Sequence, residues 1–341
     1  MKRKYALDAN RLFLLSIVLS QLLVPAVILL GVQDIMLLQF LVEFFMFLPC
    51  LIYLFMQKRP LKESIGINPL TWKQWLLLIP LAVCVDKIAE FVNVVSQLFT
   101  TNSVGSYMVE LILRYPMPLA FFVIAVTPMI CEEFIYRGVI YQGYRRSNIL
   151  VAVVLSAFLF GIMHMNLNQF SYAVVLGVLF CLINEAAGSI LPSLMMHLYI
   201  NGRSVVLLYM VVNYLTGLHN EYVAAEAVGN KELMAGLIEQ AQGIPIHEED
   251  WLSAYMSMGA EEVPESILST VPWLVVSVIV IVLIIRYFLK ITGRTEHFRR
   301  IFTRKTKEYQ SETEREKISV LSPSLVIGCL ICIAMMIYEM L

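Results

Sequence analysis

The sequence has 341 residues, of which 59% are hydrophobic and only 15% are charged, and its mean hydropathy is +0.75. These values exclude a soluble globular protein and place the chain among proteins that cross a membrane several times. The formal net charge of −1 indicates neither a strongly acidic nor a strongly basic partner, and we expect no binding to nucleic acid.

Nine apolar stretches are long enough to be membrane spans if one span takes about 20 residues. They lie near residues 12–32, 35–56, 75–99, 117–146, 148–165, 169–186, 189–214, 268–291 and 319–340. The sequence therefore predicts an all-α polytopic bundle. The joints at 33–34, 166–168 and 187–188 are so short that the spans they join must be antiparallel. The first apolar run lacks a small-residue cleavage site, so we interpret it as a retained anchor.

The Lys and Arg residues outside the spans are unevenly distributed. They cluster before the first span, after the second, after the fourth and in the stretch 290–317: Lys2, Arg3, Lys4, Arg11, Lys58, Arg59, Lys62, Lys73, Arg145, Arg146, Lys290, Arg294, Arg299, Arg300, Arg304, Lys305, Lys307, Arg315 and Lys317. With nine spans all of these clusters fall on one side, which predicts a cytoplasmic N-terminus. The opposite side keeps Arg114 and Lys231 and carries the acidic segment 215–267, where we expect amphipathic helices near 221–241 and 248–258.

The first three spans contain polar residues without a recognisable site. Gln39 and Glu43 lie in the second span. In the third, Lys87 and Glu90 are three residues apart and are expected to pair on one helix face. This pairing does not include Asp86. The six cysteines all fall within predicted spans, so a disulfide framework is not expected.

The fourth span carries three ionisable residues within an apolar run, in the stretch 131–137. Ionisable groups in hydrocarbon are costly unless they are paired or lie in a wet cavity, so they indicate a functional site. Glu133 and Arg137 are four residues apart and can pair along the helix. Glu132 points about 100° away from that pair. The spacing therefore predicts one carboxylate held by an arginine and one that is free for chemistry.

Two histidines lie within spans, at depths that match Glu132. Span five reaches His164 about 24 Å from its start, and an antiparallel turn after span four brings it level with Glu132. Phe160 precedes His164 by four residues and is expected to stack on it. His197 and Asn201 share one face of span seven. Small residues four apart, Ala157 with Gly161 and Ala173 with Gly177, predict close contact between spans five and six.

These residues resemble the CAAX prenyl endopeptidase and bacterial Abi family, also called CPBP intramembrane proteases. The family signatures are E-E-x-x-x-R, F-x-x-x-H and H-x-x-x-N on successive helices. In this sequence they read Glu132-Glu133-x-x-x-Arg137, Phe160-x-x-x-His164 and His197-x-x-x-Asn201. The similarity covers about residues 117–205 and suggests four parts: N-terminal membrane helices 1–116, a catalytic core 117–214, an extracytoplasmic acidic segment 215–267, and C-terminal helices 268–341 with a basic cytoplasmic loop.

The resemblance implies peptide-bond hydrolysis in the membrane, in a cavity open to the cytosolic side. Glu132 with His164 would activate a water as general base. His197 and Asn201 would donate hydrogen bonds to the tetrahedral oxyanion. The substrate would be a hydrophobic or prenylated peptide or protein, and the protein would be a multi-pass protein of the cell membrane in contact with its lipids.

The resemblance also implies supporting roles and leaves alternatives open. Glu133 and Arg137 would fix the helix and tune the charge of the site. Glu132, His164 and His197 could instead be three ligands of Zn²⁺ with water in the fourth position. A protein of the same fold could also bind a partner without cleaving it, as an immunity factor or scaffold, or could transport protons through its buried Glu and His residues.

Overall fold

The computed structural model describes residues 2–57, 60–100, 108–109, 111, 113–146, 148–241, 243–248, 251, 263–303 and 320–340. These residues form helices and no strand, which confirms the predicted all-α class. The helices are α1 (Lys2–Leu29), α2 (Ile35–Met56), α3 (Leu61–Ile65), α4 (Trp72–Ser96), α5 (Met117–Arg145), α6 (Ile149–Ile162), α7 (Leu167–Ala187), α8 (Leu191–Ala227), α9 (Lys231–Gln240), α10 (Val263–Thr292), α11 (Thr295–Phe302) and α12 (Pro323–Met340).

A helix occupies each of the nine predicted span positions. Within the described ranges, six helices are long and apolar enough to cross a membrane, namely α1, α2, α5, α7, α8 and α10. Helices α6 and α12 are apolar but shorter, and α4, which carries Asp86, Lys87 and Glu90, is not among the six. The chain is therefore a polytopic helical membrane protein. The number of nine spans and the cytoplasmic N-terminus stay predictions.

Helix α5 is not a regular α-helix over its length. It contains two π-helical segments, Phe122–Val126 and Phe134–Ile140. The first precedes Pro128, which has no N–H to donate to the carbonyl of Ile124 four residues earlier, so the α-helical ladder is interrupted there. The second contains Arg137. Short π segments inside α-helices occur frequently at functional sites, because the extra residue per turn redirects side chains.

The α6–α7 hairpin is closely packed, as the small residues predicted. A Cβ atom added to Gly177 would lie 2.7 Å from the Cα of Ala157, and one added to Gly161 would lie 2.4 Å from a methyl group of Val174. Helix α6, however, ends at Ile162 rather than near residue 165. The prediction that His164 lies within a helix was therefore wrong, because the chain turns at 163–166, where Met165 adopts a φ of 55°.

Helix α8 continues 13 residues beyond the predicted end of its span at 214. The continuation places Leu215, Leu218 and Tyr222 on one face, where they pack on Leu237 of α9. The predicted single helix over 221–241 was wrong, because Gly229 has a φ of 68° and Asn230 caps a new helix at Lys231. Most of the helix predicted near 248–258 lies outside the described residues.

Candidate active site

A fully buried ion pair lies at the centre of α5. The Nη1 atom of Arg137 is 2.9 Å from Oε1 of Glu133, and their side chains are only 1% and 0% exposed. This distance confirms the predicted i, i+4 pairing. The guanidinium lies between two rings, 4.1 Å from the centroid of Phe160 and 5.0 Å from that of Phe180. None of its nitrogens makes a well-directed hydrogen bond, so charge attraction and ring stacking hold Arg137 in place.

Glu132 is also buried, at 5% exposed, but its contacts differ from those of its neighbour. Its carboxyl forms a side-chain hydrogen bond with Glu43 of α2 and does not pair with Arg137. Two carboxyl groups can share a hydrogen bond only if one of them carries a proton. The sequence predicted a Glu132 free of partners, and it missed Glu43. The signal that could have identified Glu43 is its position as a lone carboxylate in an apolar span.

His197 of α8 lies between the two glutamates. Its Nδ1 atom is 3.1 Å from Oε1 of Glu133, and its Nε2 atom is 3.6 Å from Oε2 of Glu132. A carboxylate oxygen accepts, so Nδ1 carries a proton and donates it to Glu133. The ring therefore links the buried ion pair to the carboxyl pair, and Nε2 is directed toward Glu132.

His164 reaches the site from the turn after α6. Its Nδ1 atom lies 2.9 Å from the carbonyl oxygen of Phe160, and the two rings meet edge to face at 5.3 Å, as predicted from their spacing. Because a carbonyl only accepts, Nδ1 is the protonated nitrogen and Nε2 can accept a proton. His164 makes no direct hydrogen bond to Glu132 among the described residues, so any joint action of the two requires an intervening molecule.

Asn201 lies one turn after His197 on the same face of α8. Its Nδ2 group donates to the carbonyl oxygen of Ile124 at 3.3 Å. That carbonyl is the one to which Pro128 cannot donate. The side chain of Asn201 is thereby fixed on α5, and an amide nitrogen with two protons keeps one for another acceptor.

These residues line a common cavity of about 430 Å³. The polar residues predicted for the site that face it are Glu132, His164, His197 and Asn201, and Glu43 joins them. Glu133 and Arg137 lie behind its floor. The sequence-predicted residues are therefore gathered in one place, on α5, α6–α7 and α8, with α2 contributing the residue that the sequence did not indicate.

The zinc alternative does not fit this arrangement. Among the described residues no three His, Cys, Asp or Glu side chains are disposed as ligands of one metal ion. The two nitrogens of His197 are directed at two different carboxylates, and His164 engages a backbone carbonyl.

A second buried polar cluster surrounds Glu185 near the end of α7. Its carboxylate accepts hydrogen bonds from Tyr141 at 2.7 Å, from Arg145, from Arg294 at 3.0 Å and from His297 at 2.7 Å. Arg294 also donates to the backbone carbonyl of Glu185 at 2.7 Å. The cluster attaches the α10–α11 connection to the core, at the end of the bundle opposite to the α6–α7 turn.

The fold and the site together define a polytopic membrane protein with a buried carboxyl and imidazole centre. The family model for type II CAAX prenyl endopeptidase Rce1-like proteins matches residues 114–203, which is 90 of the 341 residues and contains every predicted site residue. This match confirms the resemblance at the level of the family and indicates a membrane endopeptidase in general. No curated protein and no solved structure gave a significant match.

Proposed function

We propose that the protein is an intramembrane endopeptidase of the cell membrane that hydrolyses a peptide bond with an activated water. The observation that carries the proposal is the position of His197, whose ring contacts Glu132 on one side and Glu133 on the other, at the floor of a cavity shared with His164 and Asn201. A pure scaffold has no chemical need for this convergence.

In the proposed reaction, a water between Glu132 and His164 attacks the carbonyl carbon of the scissile bond. The proton that the water loses passes to the Glu132 carboxylate or to Nε2 of His164, which is the nitrogen able to accept it. The same proton is then returned to the nitrogen of the leaving amine when the tetrahedral intermediate breaks down. The products are a free carboxylate and a free amine.

The oxyanion of the tetrahedral intermediate would be stabilised by two donors on α8. Asn201 keeps one Nδ2 proton beyond its bond to Ile124, and His197 can donate from Nε2 when its ring carries both protons. Both donors are preorganised before the substrate binds, because Glu133 fixes the ring and Ile124 fixes the amide. Glu133 and Arg137 act through His197 and have no contact with the reacting atoms.

The substrate class that fits is a hydrophobic peptide segment, with or without a prenyl group. The cavity wall combines Met46, Met163 and Met165 with Gln169 and Tyr172, so apolar side chains and a hydrogen-bonding backbone both find partners. Methionine side chains adapt to irregular apolar ligands. We expect membrane lipid to surround the site and to deliver such a segment.

The test is Glu132→Gln in purified protein reconstituted into vesicles with hydrophobic and prenylated peptides. The variant keeps size and hydrogen bonding but removes the base, so cleavage is expected to fall by at least 100-fold. Glu221→Gln, at an exposed site on α8, is the matched control and should cleave normally. Cleavage by Glu132→Gln at the normal rate would contradict the proposal, and peptide binding without cleavage by the unaltered protein would favour a non-catalytic role. Activity that survives strong chelation would separately remove the zinc alternative.

A further inference from the structure

The cavity extends from its floor toward only one end of the bundle. On α5 the lining residues Ile124 and Pro128 precede Glu132, whereas on α8 the lining residues Ile200 and Ser204 follow His197. Because α5 and α8 run in opposite directions, both displacements are toward the same end.

The first two helices give the same direction. The lining residues of α1 are Ser20 and Gln21, which lie in its C-terminal half, and those of α2 include Gln39, which lies near its N-terminal end. The α6–α7 turn, with Met163 and Met165, lines the same half of the cavity. Four helices and one turn thus place the cavity in the half of the bundle that contains the α1–α2 and α6–α7 connections.

Exposure differs between the floor and Ser204, the lining residue farthest along α8. Glu43 and His197 at the floor are 4% and 5% exposed, whereas Ser204 is exposed. Below the floor, toward the other end, lie the fully buried Glu133 and Arg137. The cavity is therefore closed toward the end at which α5 finishes, and its mouth lies at the opposite end.

Most of the basic residues outside the helix interiors lie at the end away from the mouth. Among the described residues, Arg145 and Arg146 follow α5, Lys62 and Lys73 lie between α2 and α4, and the α10–α11 region adds Lys290, Arg294, Arg299 and Arg300. The half that carries the mouth has Arg114, Lys231 and Arg203, and Arg203 is neutralised by Asp86 at 3.1 Å. The excess of Lys and Arg marks the cytoplasmic side of a membrane protein. The resemblance implies a cavity that opens to the cytosol, whereas the charges place the cytoplasmic side at the end away from the mouth. The two implications therefore cannot both hold.

We propose that the mouth of this cavity opens on the extracytoplasmic side of the membrane. Given the proposed peptidase function, on which this step rests, the substrate class is an apolar peptide segment that reaches the site from the extracytoplasmic face, such as a membrane-embedded remnant of an exported chain. A prenylated C-terminus that stays in the cytosol is outside this class, because the buried Glu133 and Arg137 separate the cavity from the cytoplasmic end.

The test uses single cysteines and a charged, membrane-impermeant thiol reagent. Ser204→Cys and Gln21→Cys report on the mouth, and Glu63→Cys, at an exposed position of α3, reports on the opposite end. The unaltered chain gives the background, since Cys50, Cys131, Cys181 and Cys332 are buried and Cys84 and Cys329 are half-buried. Labelling is normalised to the labelling of the denatured protein.

In intact cells we expect Ser204→Cys and Gln21→Cys to be labelled and Glu63→Cys to remain unlabelled until the membrane is permeabilised. The reverse pattern would place the mouth in the cytosol and overturn the proposal. Labelling of all three from outside, or of none of the mouth positions from either side, would overturn it as well. The measurement needs no turnover and is repeated in a Glu132→Gln background, so its outcome is independent of whether the protein cleaves peptides. A second experiment adds peptide outside vesicles in which the protein has one known orientation. Cleavage is expected when the extracytoplasmic side of the protein faces the outside, and no cleavage is expected when the cytoplasmic side does.

Discussion

The side chain of Asn201 occupies the backbone hydrogen-bonding position that Pro128 leaves empty. In a continuous α-helix the carbonyl of Ile124 accepts from the N–H of residue 128, and a proline has none. Asn201 donates to that carbonyl instead, at 3.3 Å. One proline in α5 thus fixes a side chain on α8 that belongs to the proposed oxyanion site.

This relationship predicts the effect of Pro128→Ala. The alanine supplies the missing N–H, so Ile124 no longer needs Asn201 and the amide becomes free to turn. We expect kcat to fall by at least tenfold with KM little changed, because the donor is used mainly on the oxyanion. Pro80→Ala, which removes an exposed proline from within α4, is the control and should leave kcat unchanged. Equal kcat in both variants would show that the proline does not position Asn201.

The hydrogen bond between Glu43 and Glu132 predicts different results for two substitutions at residue 43. Glu43→Gln retains a side-chain donor for the Glu132 carboxylate, whereas Glu43→Leu removes it and leaves that group buried without its partner. We expect the leucine variant to lose at least tenfold in kcat and the glutamine variant to keep most of it. Glu221→Leu, on the exposed face of α8, controls for the loss of a charge. Equal loss in the glutamine and leucine variants would contradict a role for the hydrogen bond.

The buried pair of Glu133 and Arg137 predicts a large effect on stability. Arg137→Met leaves the Glu133 carboxylate, which is 0% exposed, without its guanidinium partner and with only the hydrogen bond from His197, and removing one partner of a buried ion pair costs about 3–5 kcal/mol. The double variant Glu133→Gln with Arg137→Met removes both charges and should recover a large part of the lost stability. Thermal unfolding in detergent measures the stability of the single variant and of the double variant. A double variant no more stable than Arg137→Met would contradict the charge-based account.

A large part of this site could be predicted from the spacing of residues along one helix. The rest depends on packing between helices that are distant in the sequence. The pairing of Glu133 with Arg137 and the stacking of Phe160 on His164 follow from residues four apart, so the sequence could predict them. The lone carboxylate of Glu43 in an apolar span was a signal for a polar site, but its contact with Glu132 could not be predicted, because nothing in α2 specifies which side of α5 it packs against. The end of α6 before His164 was missed for a different reason. The chain there stays apolar through Met163 and Met165, and only the backbone turn at Met165 stops the helix.

The contact between α6 and α7 predicts opposite effects for two substitutions of the same kind. A Cβ atom at Gly177 would lie 2.7 Å from the Cα of Ala157 and 2.8 Å from its Cβ, and backbone atoms of a packed helix cannot move aside cheaply. We expect Gly177→Ala to destabilise the protein by about 1–3 kcal/mol through overpacking. A Cβ atom added to Gly217 on α8 meets nothing within 4 Å. Gly217→Ala should therefore be neutral or stabilising by up to about 1 kcal/mol, because alanine favours a helix more than glycine does.

Thermal unfolding of the two variants in the same detergent tests this difference. If Gly177→Ala unfolds at or above the temperature of Gly217→Ala, the close approach of α6 and α7 is not a determinant of stability. His164, which follows directly from α6, should also respond, so the same Gly177→Ala protein is expected to cleave peptide more slowly than Gly217→Ala.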